Sequence, residues 1–292
     1  MIWAAPHPTG MILPGSASQS LAAALASELG VPLGAVSYDR FADGELLVEV
    51  PDRVEEAVVV CSTTSSDAHL ELLQLQDAAR EAGAEHLTTV LPYMGYGRQD
   101  EAFVPGQPVS ARAVARAIST GTDRGVLVSP HERAVADFFD VPCEVVEAAP
   151  LLAEPLGDLR EPLFLAPDAA ARALAERVRD AYGAGAVDHF EKQRDYDTGE
   201  VTVHPRATDA AGRDAVIVDD IIATGGTVSG AVSALRDAGA GRVVAACVHP
   251  MLAGEARSRL ARAGVDRVVA TDTIERPSSV VSAAPAVAAA LQ

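Results

Sequence analysis

The chain contains the segment Val216-Ile217-Val218-Asp219-Asp220-Ile221-Ile222-Ala223-Thr224-Gly225-Gly226-Thr227. An apolar run the length of a strand is followed by two acidic residues, a glycine-rich turn and the start of a helical pattern. Glycines let backbone N–H groups approach an anion without interference from a Cβ, and the N-terminus of the following helix adds partial positive charge. This order of features predicts an anion-binding loop at the end of a strand in an α/β sheet.

The polar side chains of this segment indicate which anion it binds. Thr224 and Thr227 can donate hydroxyl hydrogen bonds to a phosphate. Asp219 and Asp220 can accept hydrogen bonds from a vicinal diol such as the 2′- and 3′-hydroxyls of a ribose, at the strand end where open α/β sheets bind ligands. An ordinary capped turn is the alternative for Thr-Gly-Gly-Thr taken alone. The complete arrangement favours a phosphorylated ribose.

Strand-like apolar runs alternate with amphipathic helical segments along the rest of the chain, which predicts parallel α/β sheets. A strand, helix and strand in the first half are matched by a similar series in the second. The predicted elements are Ala57–Cys61, Leu70–Ala82 and Leu87–Leu91, then Ala215–Val218, Thr227–Ala238 and Arg242–Val248. Because the repeated unit is about the size of a domain, the duplication predicts two related α/β domains. Prolines near Glu147–Pro150 predict a boundary there, giving domains 1–147 and 148–279 and a terminal helix over 280–292.

Composition excludes several classes of protein. The 292 residues are 49% hydrophobic, which is enough for a substantial core. A net charge of −18 argues against binding to nucleic acid or to an anionic membrane, since both need a basic face. We expect neither a signal peptide nor a membrane span, and we therefore expect a cytoplasmic location. The three cysteines are far apart and lack metal-site spacing, so we expect buried thiols.

Positive charge is supplied almost entirely by arginine. Of the 23 lysine and arginine residues, only Lys192 is a lysine. An acidic surface without lysine suits a salt-rich cytoplasm, where charges are screened over about 3 Å at 1 M salt. A chain that retains a single lysine needs a compact, flexible ammonium at that position, unless Lys192 survives by chance.

The segment 216–227 resembles the phosphoribosyl pyrophosphate-binding loop of the phosphoribosyltransferase superfamily. The resemblance implies that ribose 5-phosphate or its derivative is bound by the residues Asp219, Asp220, Ala223, Thr224, Gly225, Gly226 and Thr227. It implies a fold of two similar phosphoribosyltransferase-like domains, each a mainly parallel sheet flanked by helices. The superfamily includes transferases, a synthetase and noncatalytic proteins, so the reaction needs further motifs.

Two motifs in the first half resemble the nucleotide site of ribose-phosphate pyrophosphokinases. One is Pro92-Tyr93-Met94-Gly95-Tyr96-Gly97-Arg98-Gln99-Asp100-Glu101, and the other is Phe41-Ala42-Asp43-Gly44-Glu45. A guanidinium can bind a phosphate, and carboxylate or amide groups can contact the base and its exocyclic amine. A polar surface loop is the alternative for Arg-Gln-Asp alone. The resemblance implies that ATP is bound by Phe41, Asp43, Glu45, Arg98, Gln99, Asp100 and His131.

Two further residues match positions that the family associates with magnesium. His131 lies in Ser129-Pro130-His131-Glu132, where the sequence departs from the family's Asp-Leu-His pattern but keeps the imidazole. Asp168 follows Ala166-Pro167, and its alternative role is the N-cap of a helix over Ala169–Ala181. The resemblance implies that His131 and Asp168 help to hold Mg²⁺.

The single lysine falls in Phe190-Glu191-Lys192-Gln193-Arg194, which resembles the family's mobile catalytic segment. The resemblance implies that Lys192 and Arg194 are catalytic, because transfer of a phosphoryl group needs positive charge on its oxygens. Tyr196–Val201 is acidic and rich in turn residues, as expected of a flap. Thr271-Asp272-Thr273-Ile274 resembles a C-terminal motif of the family without an evident chemical role.

The resemblance covers essentially the whole chain and implies the reaction of ATP with ribose 5-phosphate to give AMP and 5-phosphoribosyl pyrophosphate. It implies Mg²⁺ as cofactor, a homo-oligomer, and a C-terminal helix that packs on the first domain. A phosphoribosyltransferase would leave the motifs at 41–45 and 98–100 without a purpose. A noncatalytic regulatory subunit would be expected to lose the Lys-x-Arg segment or the paired acids, and this chain has both.

Overall fold

A computed structural model of the chain describes residues 10–194, 201–205 and 210–292. The chain divides into two compact units. Unit 1 extends to Glu147 and also contains Asp272–Glu275 and Ser282–Gln292, whereas unit 2 contains Ala148–Thr271 and Arg276–Val281.

Strands and helices alternate through both units. In order, the first elements are β1 Gly10–Pro14, α1 Gln19–Leu29, β2 Ser37–Arg40, β3 Leu46–Glu49, β4 Glu56–Val60, α2 Ser66–Glu81, β5 His86–Leu91, α3 Ser110–Ser119, β6 Arg124–Val128 and β7 Cys143–Val146. The later elements are β8 Leu163–Ala166, α4 Arg172–Tyr182, β9 Ala186–Arg194, β10 Val201–Pro205, β11 Ala215–Ile221, α5 Gly226–Asp237, β12 Val243–His249, α6 Ala256–Ala263, β13 Arg267–Thr271, β14 Ser279–Val281 and α7 Ala284–Leu291. Short 3₁₀ helices span Arg133–Phe138 and Ala149–Leu156.

The described residues of unit 1 form a five-stranded parallel sheet in the order β1-β4-β5-β6-β7, beside an antiparallel hairpin of β2 and β3. Strand β4 is a run of valines that is buried on both faces, as expected of a parallel sheet covered by helices. The apolar sides of α2 and α3 pack on the sheet through Leu72, Leu75 and Ile118.

Within the described part of unit 2, seven strands are ordered β10-β9-β8-β11-β12-β13-β14, and only the β9–β10 pair is antiparallel. The order β8-β11-β12-β13-β14 repeats the order β1-β4-β5-β6-β7 of unit 1. Each copy places a helix, α2 or α5, after the corresponding strand β4 or β11. The predicted class of two similar, mainly parallel α/β domains is confirmed.

The C-terminal region differs from the sequence prediction. A continuous helix was expected from residue 280, but Ser279–Val281 form β14 beside β13 and α7 begins at Ala284. The β-branched pair Val280-Val281 favours a strand, and Pro285 favours the first turn of a helix. Helix α7 packs against α1 of unit 1.

Asp272–Glu275 also belongs to unit 1, although the sequence assigned it to the second domain. The carboxylate of Glu275 accepts hydrogen bonds from the N–H groups of Ser20, at 2.6 Å, and Leu21, at 3.1 Å, in the first turn of α1. The hydroxyl of Ser62 donates to the carbonyl of Thr273. The Thr271–Ile274 motif therefore has a structural role, because it leads the chain back to the first unit.

None of the helices in the described ranges combines the length and the apolar character needed to cross a membrane. Cys61 and Cys247 are buried free thiols, and Cys143 is a free thiol that is half-buried. Burial raises the pKa of all three thiols, so they are protonated in the folded chain.

Asp214 is a buried carboxylate that ties three loops of unit 2 together. It accepts hydrogen bonds from the backbone N–H groups of Arg160 and Arg242, both at 2.9 Å, and from the guanidinium of Arg242 at 2.6 Å. Burial alone would raise the pKa of Asp214, but these hydrogen bonds and the charge of Arg242 lower it below its usual range. Ionised Asp214 therefore stabilises the fold.

Replacing Asp214 with Asn should lower the free energy of unfolding by about 2 to 3 kcal/mol at pH 7, because charge-assisted hydrogen bonds are lost. The pKa of Asp214 is lower in the folded state than in the unfolded state. Its contribution to the free energy of unfolding is therefore fully present above the unfolded pKa of about 3.9 and is lost as pH falls through the folded pKa. Chemical denaturation at pH 7 and pH 3.5 measures the difference. Asp237→Asn, at the exposed end of α5, is the control. Equal losses for D214N at both pH values would contradict this account.

Candidate active site

The paired acids stand where β11 leaves the sheet. The preceding residues Ile217 and Val218 are fully buried, whereas Asp219 and Asp220 are half-buried. Asp219 Oδ1 accepts from the N–H of Asp220 at 3.0 Å, and Asp220 Oδ1 accepts from the N–H of Ile221 at 2.8 Å. The buried strand thus fixes two adjacent carboxylates at the carboxyl end of the sheet.

Acidic side chains are concentrated at this strand end. Burial raises the pKa of Asp219, and the adjacent charge of Asp220, with a smaller contribution from Asp168, raises it further. The structure thus brings Asp168 into electrostatic contact with the paired acids, which the sequence did not predict. A cation or the hydroxyl groups of a sugar would relieve the repulsion.

The loop after the acids is held by the segment that follows β12. The N–H of Ile222 donates to the carbonyl of His249 at 3.2 Å, and the carbonyls of Ile222 and Ala223 accept from Leu252 and Ala253, both at 2.9 Å. The side chain of Ile222 is buried in the core of unit 2. These contacts fix the entry to the glycine turn.

The glycine turn opens the N-terminus of α5. Gly225 has φ +74°, a conformation that favours glycine, and a Cβ at this position would lie in tight contact, 3.3 Å from Leu260 Cγ. Within the described residues, no side chain caps α5. Thr224, Gly226 and Thr227 are exposed. The first N–H groups of the helix, which lack partners within it, are therefore accessible to an anion together with the threonine hydroxyls.

In unit 1, the predicted adenine-side residues form the turn of the β2–β3 hairpin. The N–H of Phe41 donates to the carbonyl of Glu45 at 2.9 Å, and the N–H of Glu45 donates to Asp43 Oδ1 at 3.3 Å. Gly44 has φ +94°. The ring of Phe41 is 53% exposed, so it is available to stack on a base.

The second nucleotide motif follows β5. Arg98 is exposed, whereas Gln99 and Asp100 are half-buried. The side-chain oxygen of Gln99 accepts from Ser110 Oγ at 2.6 Å, and its carbonyl accepts from the N–H of Ala111 at 3.1 Å. Gln99 therefore anchors the turn to the start of α3, and its amide N–H₂ group is the part that can contact a ligand.

The first turn of α2 connects these two motifs. Arg40, beside the hairpin turn, pairs with Asp67 at 2.7 Å, and Tyr96, before Arg98, shares a 3.0 Å hydrogen bond with Ser66. The ring centroids of Tyr96 and His69 are 5.3 Å apart. Burial lowers the pKa of His69 to about 4, so the imidazole is neutral at physiological pH. The two motifs that the sequence predicts to bind the nucleotide are thus brought together around one helix N-terminus.

His131 and Asp168, predicted to hold magnesium, lie in different units. His131 is exposed in the loop after β6, which is the neighbour of β5 in the sheet. Asp168 Oδ1 accepts from the N–H of Ala171 at 3.1 Å, but α4 begins at Arg172, so the expected helix start at Ala169 was wrong by three residues. A short turn separates Asp168 from the helix.

Lys192 and Arg194 lie in β9, paired with Val203 and Val201 of β10. Their side chains lie outside the described part of the chain, as do residues 196–200 of the predicted flap. Their catalytic assignment therefore stays a prediction.

Comparison with known proteins identifies the family. A family model for the N-terminal domain of ribose phosphate pyrophosphokinase matches residues 10–121, and a phosphoribosyl transferase domain model matches residues 146–283. A ribose-phosphate pyrophosphokinase of Halobacterium salinarum is 62% identical over 284 residues, which cover 96% of this chain and 100% of that protein. The chain belongs to the ribose-phosphate pyrophosphokinase family.

Other members of the family are also similar to this chain over nearly its full length. The ribose-phosphate pyrophosphokinase of Methanopyrus kandleri is 43% identical, covering 97% of this chain and 98% of its own. A crystal structure of phosphoribosylpyrophosphate synthetase from Mycobacterium smegmatis matches with a TM-score of 0.83 and 32% identity, covering 97% of both chains. The chain is an enzyme with ribose-phosphate pyrophosphokinase activity.

Two glycine substitutions, Gly225→Ala and Gly239→Ala, distinguish loss of substrate binding at the predicted phosphate loop from the loss of stability that backbone strain causes. Both glycines have φ near +75°, but a Cβ at Gly239 would meet nothing closer than 3.8 Å. Each substitution should lower the free energy of unfolding by about 1 to 2 kcal/mol, since alanine disfavours this conformation. Only G225A should also raise the KM for ribose 5-phosphate, about 10-fold or more. Steady-state kinetics and denaturation measure the two effects, and an equal KM in both variants would contradict the assignment of the loop.

Proposed function

We propose that the chain transfers the pyrophosphoryl group of Mg-ATP to the 1-hydroxyl of ribose 5-phosphate. The hydroxyl oxygen forms a bond to the β-phosphorus, the bond from that phosphorus to the oxygen bridging to the α-phosphate breaks, and AMP leaves with that oxygen. The hydroxyl proton is released as the new bond forms. Two arrangements support this assignment: the open glycine turn beside paired acids in unit 2, and the two nucleotide motifs around α2 in unit 1.

In this mechanism, unit 2 holds the sugar. The amides of Gly225–Thr227 and the hydroxyls of Thr224 and Thr227 bind the 5-phosphate. Asp219 and Asp220 accept hydrogen bonds from the 2′- and 3′-hydroxyls, directly or through a metal ion. Because the acids precede the phosphate loop by a few residues, both ends of one furanose ring are fixed, which orients the anomeric hydroxyl.

Unit 1 holds the nucleotide. We assign Phe41, Asp43 and Glu45 to the base and Arg98 to the phosphates, with Gln99 and Asp100 completing the turn. The exposure of Phe41 and Arg98 is consistent with these roles. ATP and a sugar phosphate as substrates favour the cytoplasm as the location.

The described carboxylates fit magnesium with a mixed ligand set. In the described ranges, no cluster of three or more His, Cys, Asp or Glu side chains is arranged to hold a metal ion. Mg²⁺ commonly uses one or two carboxylates, with phosphate and water oxygens as its other ligands. Asp219, Asp220 and Asp168 offer suitable oxygens in unit 2, and His131 offers an imidazole in unit 1. When bound, the ion neutralises charge on the transferred phosphates.

The purified chain should form AMP from ATP only when ribose 5-phosphate is present. Product formation is followed by chromatography at low and at molar salt, because the net charge of −18 favours a screened environment. AMP and 5-phosphoribosyl pyrophosphate should appear in equal amounts. A phosphoribosyltransferase would instead consume 5-phosphoribosyl pyrophosphate with a nucleobase, and a regulatory subunit would be inactive alone.

Lys192→Ala should lower kcat about 100-fold or more, because positive charge on the transferred group is lost. Its melting temperature should be unchanged. Arg194→Ala should act in the same direction, and Gln193→Ala, between them in β9, serves as the matched control. Turnover of K192A equal to that of Q193A would remove the lysine from the mechanism.

We also propose a homo-oligomer. Phe103 and Val104, in the loop after the nucleotide motif, are 61% and 52% exposed. Large apolar side chains together on one loop are typical of an interface. Light scattering on the purified chain determines the oligomeric state.

A further inference from the structure

The phosphate loop itself carries no cation. Residues 224–227 are threonine and glycine, and the charged groups identified at the preceding strand end, Asp219, Asp220 and Asp168, are all acidic. A sugar 5-phosphate adds up to two further negative charges. Amide dipoles and hydroxyls hold such an anion by hydrogen bonds, but beside three acidic side chains a positive charge would strengthen its binding substantially.

The guanidinium of Arg259 lies beside this loop. A Cβ placed on Gly226 would be 3.4 Å from Nη1 of Arg259 and 3.9 Å from Oγ1 of Thr224. Two donors from different segments therefore converge on the space that the absence of a side chain at Gly226 leaves open. This space adjoins the first residue of α5, where the helix N–H groups are accessible.

Arg259 is held near the loop by the helix that carries it. The next residue, Leu260, is buried and would contact a Cβ on Gly225, so α6 packs directly against the glycine turn. The backbone N–H of Arg259 donates to the carbonyl of Glu255 at 2.9 Å, within the first turn of α6. The guanidinium forms no ion pair with any residue in the described ranges, and the side chain is exposed.

The other arginines of α6 differ in their surroundings. Arg262 pairs with Glu255 at 3.5 Å. Arg257 lines a separate cavity of about 260 Å³ with Arg267 and Ser278. The same helix thus supplies one arginine at the loop and two that serve as matched controls.

We propose that Arg259 binds the 5-phosphate of the sugar substrate and is the fixed cation of the phosphate loop. This inference rests on the proposed function, in which residues 224–227 hold that phosphate. The guanidinium donates hydrogen bonds to phosphate oxygens on the side of Gly226, while the amides of α5 bind from the helix end. Arg259 thereby balances the paired acids and favours a phosphorylated sugar over a free one.

Steady-state kinetics of Arg259→Gln test this role, with Arg257→Gln and Arg262→Gln as controls. R259Q should raise the KM for ribose 5-phosphate about 10- to 100-fold and leave the KM for ATP within about 2-fold. Arg259→Lys, which keeps the charge, should recover part of the loss. Calorimetric titration of ribose 5-phosphate without ATP should show the same order of affinities. Melting temperatures report whether each variant is folded.

The outcomes separate this inference from the proposed function. If the wild-type chain forms no AMP from ATP and ribose 5-phosphate, the proposed function is overturned. If the wild type is active and R259Q has the same KM for ribose 5-phosphate as the two controls, Arg259 does not bind the phosphate. An equal rise in both KM values, or no recovery in R259K despite a native melting temperature, also overturns the role of Arg259.

Discussion

Electrostatic repulsion at the end of β11 is the constraint on which the site depends. Strand β11 is buried between β8 and β12, so the backbone that carries Asp219 and Asp220 cannot move to separate them. Burial and mutual repulsion both raise the pKa of Asp219. Two acidic side chains are therefore held at one fixed point, and a cation bound there would favour their ionised forms. The glycine turn that follows favours an anion instead, because its backbone N–H groups are hydrogen-bond donors.

The two units show how one topology supports different sites. In unit 1, Cys61 and Ser62 follow strand β4 at the positions that Asp219 and Asp220 occupy in unit 2. Three residues later, the hydroxyl of Ser65 accepts a hydrogen bond from the N–H of Ala68 at 3.2 Å. That hydroxyl satisfies one of the free N–H groups in the first turn of α2. In unit 2, Gly225 takes the corresponding place and leaves α5 open. The copies thus share a sheet order but differ in whether a side chain caps the helix.

Sequence patterns identified most of this architecture because they are local. The apolar runs placed β4, β5, β11 and β12 to within a few residues, and the segment 216–227 identified the loop from residue types alone. Local patterns could not predict contacts between segments that are distant in the sequence. Glu275 binding the first turn of α1 and Arg259 approaching Gly226 depend on how helices pack, and single arginine or glutamate residues carry no periodic signal. The strand β14 was missed because three residues are too few to establish an alternation.

The path of the chain has a consequence for its synthesis. Unit 1 contains Asp272–Glu275 and α7, although most of it precedes residue 148. A ribosome that has just produced β13 has therefore made nearly all of the second unit, while the first still lacks the carboxylate that binds α1 and the helix that covers it. The unit translated first is therefore completed last, after nearly all of the second unit has been made.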